Sequence, residues 1–398
     1  MNGTAEKYLT FTFDEDQTYV KRNKAELLKD IDAVVFDCDG VLIDIRGSYD
    51  RAISETVVYI LEGFTGCGLP RDLISNEVIF LFRKSGGFNN DWDTCYGVLM
   101  FILCNLPEDF QGIFGSVVKR IDKDEKPLQR FLQVKSAIGE VDLCALLEDE
   151  VIDELMSELA RFTGSLDESG ILSVDRNLRN QELVKDYYED LRYLLLCPCK
   201  VGGGIIPTVF EEIFCGSSLV KEIYGVDPAF YNGRGRIENE QVIISGETLD
   251  RLPLTLGKRD LGIASGSRFK SAEKVLGRIL RCFKPQALVF LDDVEREEKR
   301  ILKETGCTVN LKKPEAFSLL KSAEGLEPFG AVLYVGDSME DALTVEKALG
   351  VDPRFIFAGV YSYSGSKVAL LKSFLQAGVD VILPSVNEIP LLLEELRR

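Results

Sequence analysis

The chain has 398 residues and a mass of 44.5 kDa, enough for two cores or for one domain carrying a large insertion. Its 65 acidic against 47 basic residues give a formal charge of −18 and a pI near 4.7, which argues against general affinity for nucleic acid or anionic lipid. It contains no histidine, and this excludes Ser-His and Cys-His nucleophile pairs and every His-ligated metal site.

The start, MNGTAEKYLTFTFDED, is acidic and lacks a basic leader followed by an apolar core, so no signal peptide is expected. A short edge strand over Tyr8 to Phe13 and a helical stretch over Asn23 to Lys29 come first. DAVVFD is the first strong strand. Helical periodicity then dominates, in SYDRAISETVVYILEGF, SNEVIFLFRKS and WDTCYGVLMFILCNL, followed by a charged middle from Pro107 to Arg192 containing LCALLEDEVIDELMSELARF. The most apolar run, YGVLMFILCNLP from Tyr96, has the size of a buried helix rather than a membrane span. Glycine clusters at SGGFNND and VGGGIIP read as loops. Ten cysteines without a CxxC repeat point to mostly reduced, buried thiols in a cytoplasmic protein; the CPC at Cys197 to Cys199 has no second pair to complete a metal site.

From Leu249 strands alternate with helices: LGIASGS, RFKSAEKVLGRIL, ALVFLDD, REEKRILKET, AFSLLKSAEGL, AVLYVGD, MEDALTVEKAL, RFIFAGV, KVALLKSFLQAG, DVILP and VNEIPLLLEELRR. That alternation predicts right-handed crossovers and a parallel, Rossmann-like α/β sheet covered on both faces. DAVVFD shares the near-continuous apolar character and belongs with it. Residues 1–40 and 255–398 therefore form the core, and 41–254 a mostly helical insertion after its first strand, lying over the strand ends where ligands of such sheets bind.

Four segments at strand ends carry the polar chemistry. FDCDG sets Asp37 and Asp39 two apart, on the same side of an extended chain, where they repel unless a cation or a shared proton relieves them. GIASGS places Ser265 and Gly266 at a helix start, where hydroxyl and free N–H groups suit a phosphate, although such residues also cap helices for stability. LKKPEAF offers Lys313 as an inward ammonium, with Lys312 as its competitor and a solvated surface as the ordinary alternative. GDSMEDAL supplies Asp337 and, one turn later, Asp341 on one side of the opening helix. Asp292 and Asp293 in VFLDD also end a predicted strand and are read as loop acids lining the mouth.

In that order the four segments resemble the haloacid dehalogenase-like superfamily, of the capped, phosphoglycolate phosphatase-like type (subfamily I). The resemblance covers Asp32 to Val41 and Leu254 to the C-terminus, including the ending VDVILPSVNEIPLLLEEL. It implies that Asp37 is the nucleophile forming an aspartyl phosphate and Asp39 the general acid and base. Mg²⁺ would be held by Asp37, the carbonyl of Asp39, Asp337 and waters, with Asp341 orienting the lysine or a metal-bound water. Ser265 and Gly266 would bind phosphoryl oxygens, and Lys313 would offset charge on nucleophile and phosphate. An acid at Asp39 disfavours dehalogenation, and P-type ATPases carry threonine there. In the helical cap, RKSGGFNNDW offers Arg83, Lys84, Asn89, Asn90 and Trp92 for substrate recognition, weighed equally against Trp92 as a packing anchor among solvated cations. The expected activity is a Mg²⁺-dependent phosphatase for a small phosphorylated metabolite, without nucleic acid or membrane partners and with a homodimer left open. A phosphomutase of the β-phosphoglucomutase type, or a non-catalytic binding protein that kept the fold, is the alternative.

Overall fold

A computed structural model of the chain describes residues 7–13, 16–88, 90–139, 144–196 and 199–398. Its strands are β1 (Tyr8–Phe13), β2 (Asp16–Lys21), β3 (Ile31–Phe36), β4 (Ile43–Asp44), β5 (Gln241–Val242), β6 (Leu261–Ala264), β7 (Leu288–Val289), β8 (Ala331–Gly336), β9 (Phe355–Val360) and β10 (Val381–Leu383). Eight of them form one sheet in the order β1-β2-β10-β9-β8-β3-β6-β7. From β10 to β7 neighbours run parallel; β2 adds to β10 antiparallel, and β1 to β2. The architecture is thus α/β with a mostly parallel sheet.

Strand periodicity sorts the core. Val34 and Phe36 of β3 pack on one face with Leu333, Val335 and Ile356, whereas Ala33 and Val35 pack on the other with Val332, Tyr334 and Phe357. Both faces being covered, the strands read as continuous apolar runs, and a fully buried side chain such as Phe36 contributes roughly 2–3 kcal/mol of transfer free energy. Successive strands run from β3 to β6 and β7 on one side, then from β8 outward on the other. That reversal opens a crevice beyond the carboxyl ends of β3, β6 and β8. The N–H of Asp37 donates to the Val335 carbonyl at 2.9 Å, so β3 and β8 end level.

The chain divides into two compact units, Met1–Arg46 with Glu240–Arg398, and Gly47–Asn239. Segments 41–46 and 240–254, read from sequence with the helical insertion, belong to the sheet unit. β4 pairs antiparallel with β5, and the helix Gly246–Leu256 sends Leu249, Leu252 and Leu256 into the core beside Val34 and Phe36. Two-residue strands carry too little pattern to mark such a boundary.

The second unit contains helices and no strand among its described residues. At its centre the helix Asp91–Cys104 is buried at every residue from Thr94 to Cys104, as an all-round apolar helix must be. Among the described residues no helix is long and apolar enough to cross a membrane. A buried carboxylate facing this helix, Asp175, accepts from Tyr96 Oη at 2.5 Å, Tyr188 Oη at 2.7 Å and Arg192 Nε at 2.9 Å. Most of the described cysteines are free thiols, as the sequence reading expects, but Cys67 and Cys144 form a disulfide across 77 residues. Free Cys38, Cys95, Cys104 and Cys215 are buried, Cys199 is exposed, and Cys197 lies outside the described residues.

Asp93 in the first turn of the same helix is half-buried, and its carboxyl is pushed up to about 6 by burial and then by the charge of Asp91. A carboxyl raised on folding stabilises the folded state only below its unfolded value near 3.9; that contribution is lost as pH rises through about 6. Asp93→Asn is expected to raise stability at pH 7 by about 1–2 kcal/mol, after the favourable helix-dipole interaction of the acid is deducted. Urea unfolding at pH 7 and pH 4 checks this: the gain should vanish at the lower pH.

Candidate active site

Asp37 follows β3 directly and Asp337 follows β8, so adjacent parallel strands deliver both carboxylates to the same crevice. Asp341 arrives on the first turn of the helix Met339–Leu349. One oxygen from each of Asp37, Asp337 and Asp341 lies within 4.8 Å of the others. Gly40 makes this approach feasible: it adopts φ 70°, and a Cβ there would overlap the Asp337 carboxylate.

Lys313 reaches into the cluster, with Nζ 2.9 Å from Asp37 Oδ2 and 2.8 Å from Asp341 Oδ1. Its side chain is only 8% exposed, whereas neighbouring Lys312 is exposed, so burial resolves which of the two lysines belongs to the site. Pro314 sits in a turn ahead of the helix Phe317–Glu324 rather than in its first turn. Asp341 is fully engaged as an acceptor: Oδ1 from Lys313 and from Tyr334 Oη at 2.9 Å, Oδ2 from Ser338 Oγ at 2.7 Å. That pattern ties Asp341 to the lysine, while Asp37 accepts from the Cys38 N–H at 2.7 Å as well as from Lys313.

The electrostatics follow. Burial alone would raise Asp341, but the Lys313 charge and the hydrogen bonds from Lys313, Ser338 and Tyr334 hold it below the usual carboxylate range. Burial also opposes a charged Lys313, yet Asp341 and Asp37 outweigh it and keep the ammonium well above its ordinary value. Asp37 is raised by burial, with Lys313 opposing and Asp341 adding to the rise. Asp337 is pushed well above its ordinary value by burial and then by Asp341, Asp37 and Asp39. Two buried carboxylates and the half-buried Asp337 thus face one ammonium, and the all-oxygen donor set with its excess of negative charge fits a hard divalent cation.

Ser265 follows β6 directly, donates its N–H to the Val289 carbonyl at 3.0 Å and hydrogen-bonds Asp37 through its side chain. Gly266 is exposed in the turn that follows. Asp39 accepts from Ser267 Oγ at 2.6 Å. Cys38, between the two acids, is buried, and its thiol is pushed well up by that burial and by Asp37 and Asp39, which leaves it unreactive.

Asp292 and Asp293 are helix residues rather than loop acids. β7 stops at Val289, Phe290 caps the helix Leu291–Thr305, and both acids fall in its first turn. Asp292 pairs with Arg268 at 2.9 Å and accepts the Phe269 N–H at 2.8 Å, while Asp293 accepts the Phe290 N–H at 3.0 Å. Of the residues read for recognition, Asn89 lies outside the described residues, and the others belong to the helical unit. Arg83 is paired with Asp50 at 2.7 Å and Asp91 at 3.0 Å. Asn90 caps the helix Asp91–Cys104 by accepting from the Trp92 N–H at 3.0 Å, and Trp92 Nε1 donates to Glu211 at 3.1 Å. Lys84 is exposed at the end of the helix Asn76–Lys84. The polar groups of Arg83, Asn90 and Trp92 thus serve internal contacts.

Sequence reasoning passed over Tyr334, Ser338 and Ser267. A tyrosine inside AVLYVG and the hydroxyl of GDS were the available signals, since each puts one polar group beside an otherwise apolar strand end.

No protein-family model matches the chain, and no curated protein matches it significantly. Among solved structures, Northeast Structural Genomics Consortium target ZR25 is similar at a TM-score of 0.55, over 92% of this chain and 99% of its own, with 16% identity. Phosphatase Tt82 from Thermococcus thioreducens is similar at a TM-score of 0.45, over 86% of this chain and 98% of its own, with 21% identity. At such identities a likeness speaks to fold alone. The first shows that a fold like this one recurs along nearly the full length of another chain.

Proposed function

We propose that the protein is a Mg²⁺-dependent phosphomonoesterase of the haloacid dehalogenase-like type, acting on a small phosphorylated metabolite through a phosphoaspartyl enzyme. The observation that carries this reading is the clustering of Asp37, Lys313, Asp341 and the half-buried Asp337 at the ends of β3 and β8. Asp37 and Asp337, with the main-chain carbonyl of Asp39, would hold the cation, which when bound neutralises charge on the phosphoryl oxygens.

Asp37 attacks phosphorus in line, and the bond from phosphorus to the ester oxygen breaks as Asp39 delivers a proton to that oxygen. Asp39, now a carboxylate, takes a proton from the water that attacks the aspartyl phosphate, which releases inorganic phosphate and regenerates Asp37. Lys313 offsets the charge of the nucleophile and of the transferring group, and Asp341 with Tyr334 fixes the ammonium. Ser265 and the N–H groups at the turn to the next helix receive the phosphoryl oxygens.

A panel of phosphorylated metabolites, read by phosphate release with and without Mg²⁺, tests the reading. The expected outcome is Mg²⁺-dependent release from at least one small ester. An isomeric sugar phosphate in place of free phosphate would reassign the chain as a mutase, and no turnover of any ester would favour a binding protein.

A further inference from the structure

Ser267 has no part in the scheme above, yet its hydroxyl donates to Asp39 Oδ2 at 2.6 Å, within the range of a charge-assisted O–H···O⁻ bond. The turn that carries it is anchored on both sides. Its N–H donates to Ser265 Oγ at 3.1 Å, and its carbonyl accepts from the Leu291 N–H at 3.0 Å. The next residue, Arg268, is gripped by Asp292 at 2.9 Å and Glu295 at 3.0 Å, and Asp292 also caps Phe269. Apart from Ser265, these partners lie in the first two turns of the charged helix Leu291–Thr305, which holds the turn from the other side.

Asp39 is differently placed. It sits between Cys38 and Gly40, at the point where the chain leaves β3, and a carboxyl there can turn about two side-chain bonds. Ser267 is buried to 9% exposure and held at both of its peptide groups, so it supplies a fixed donor to the Asp39 carboxyl.

We propose that Ser267 is a positioning residue for proton transfer: its hydroxyl holds the Asp39 carboxyl in the orientation that protonates the leaving oxygen, and the helix Leu291–Thr305 is the brace that keeps the hydroxyl in place. The inference rests on the assignment of Asp39 as general acid. It gives the charged stretch VEREEKRILKET a task in the site that it does not itself enter.

Protonation of the leaving group matters when that group is a poor one and little when it departs readily as an anion. The test compares kcat/KM for phenyl phosphate and p-nitrophenyl phosphate, with Mg²⁺, in the unaltered chain, Ser267→Ala and Ser267→Thr. The two esters have the same shape around phosphorus, and kcat/KM reports the step in which the leaving group departs. Ser267→Ala is expected to lose about tenfold or more on phenyl phosphate and to stay within about threefold on p-nitrophenyl phosphate, with Ser267→Thr near the unaltered chain on both. Equal losses on both esters, or no loss on either, would overturn the inference while leaving the phosphatase reading standing. If the unaltered chain hydrolyses neither these esters nor any metabolite of the panel, the phosphatase reading falls, and this inference falls with it.

Discussion

Asp37→Asn is expected to lower phosphate release by at least about 10⁴-fold while the protein stays folded. The asparagine has nearly the same volume and cannot form the acyl phosphate. The ion pair of Lys313 with Asp341 at 2.8 Å does not pass through residue 37, so the buried ammonium keeps a partner. Removing one of three crowded carboxylates also relieves repulsion that burial makes costly, because the charge of Asp37 is among those that push Asp337 up. Thermal unfolding without divalent cation should therefore show a midpoint equal to or above that of the unaltered chain. The stabilisation conferred by Mg²⁺ should shrink, since a ligand stabilises only as far as it binds the folded state. Loss of activity with an undiminished Mg²⁺ shift would place the cation elsewhere.

Lys313→Met has the opposite profile, in which both function and stability suffer. Its side chain, 8% exposed, lies between Asp37 and Asp341, whose own side chains are 12% and 1% exposed. Taking away one partner of a buried ionic group leaves uncompensated charge and costs about 3–5 kcal/mol, while the loss of electrostatic support for the transferring group lowers turnover by roughly 10²–10³-fold. The sign with pH follows from the carboxylates. Without the ammonium they are raised above their unfolded values, so the folded state holds protons more tightly and the deficit grows as pH rises. Urea denaturation should show the deficit largest near pH 7 and small near pH 4, with Mg²⁺ restoring part of it at neutral pH. A deficit below about 1 kcal/mol at pH 7 would mean that the lysine is solvated rather than enclosed by the acids.

What the sequence disclosed depended on how local its causes were. The parallel strands were legible because burial on both faces leaves an unbroken apolar run, as in Ala331–Gly336, with a polar residue where the run stops. The juxtaposition of Asp37 and Asp337 follows from two such runs lying side by side. β2, β4 and β5 carry no such signature, the last two being only two residues long. β7 is equally short, so the acids of VFLDD were read as strand-end loop groups when they open a helix. Lys312 and Lys313 could not be told apart by spacing, because only the enclosing fold buries one of them. Ser267 meets Asp39 across 228 positions, a pairing that no local pattern encodes. RKSGGFNNDW suggested a recognition loop from its composition, whereas its Arg, Asn and Trp are engaged by Asp50, Asp91, the Trp92 N–H and Glu211.

In the proposed reaction phosphate passes through a covalent bond to one carboxylate. Rapid quenching of the protein during turnover with Mg²⁺ and a substrate from the metabolite panel, followed by borohydride reduction and peptide mass spectrometry, reads this directly, because reduction of an acyl phosphate converts aspartate to homoserine. Homoserine is expected at position 37, dependent on substrate and absent when Mg²⁺ is withheld. Steady hydrolysis with residue 37 unchanged, or with the reduced residue at 39, 337 or 341, would contradict it.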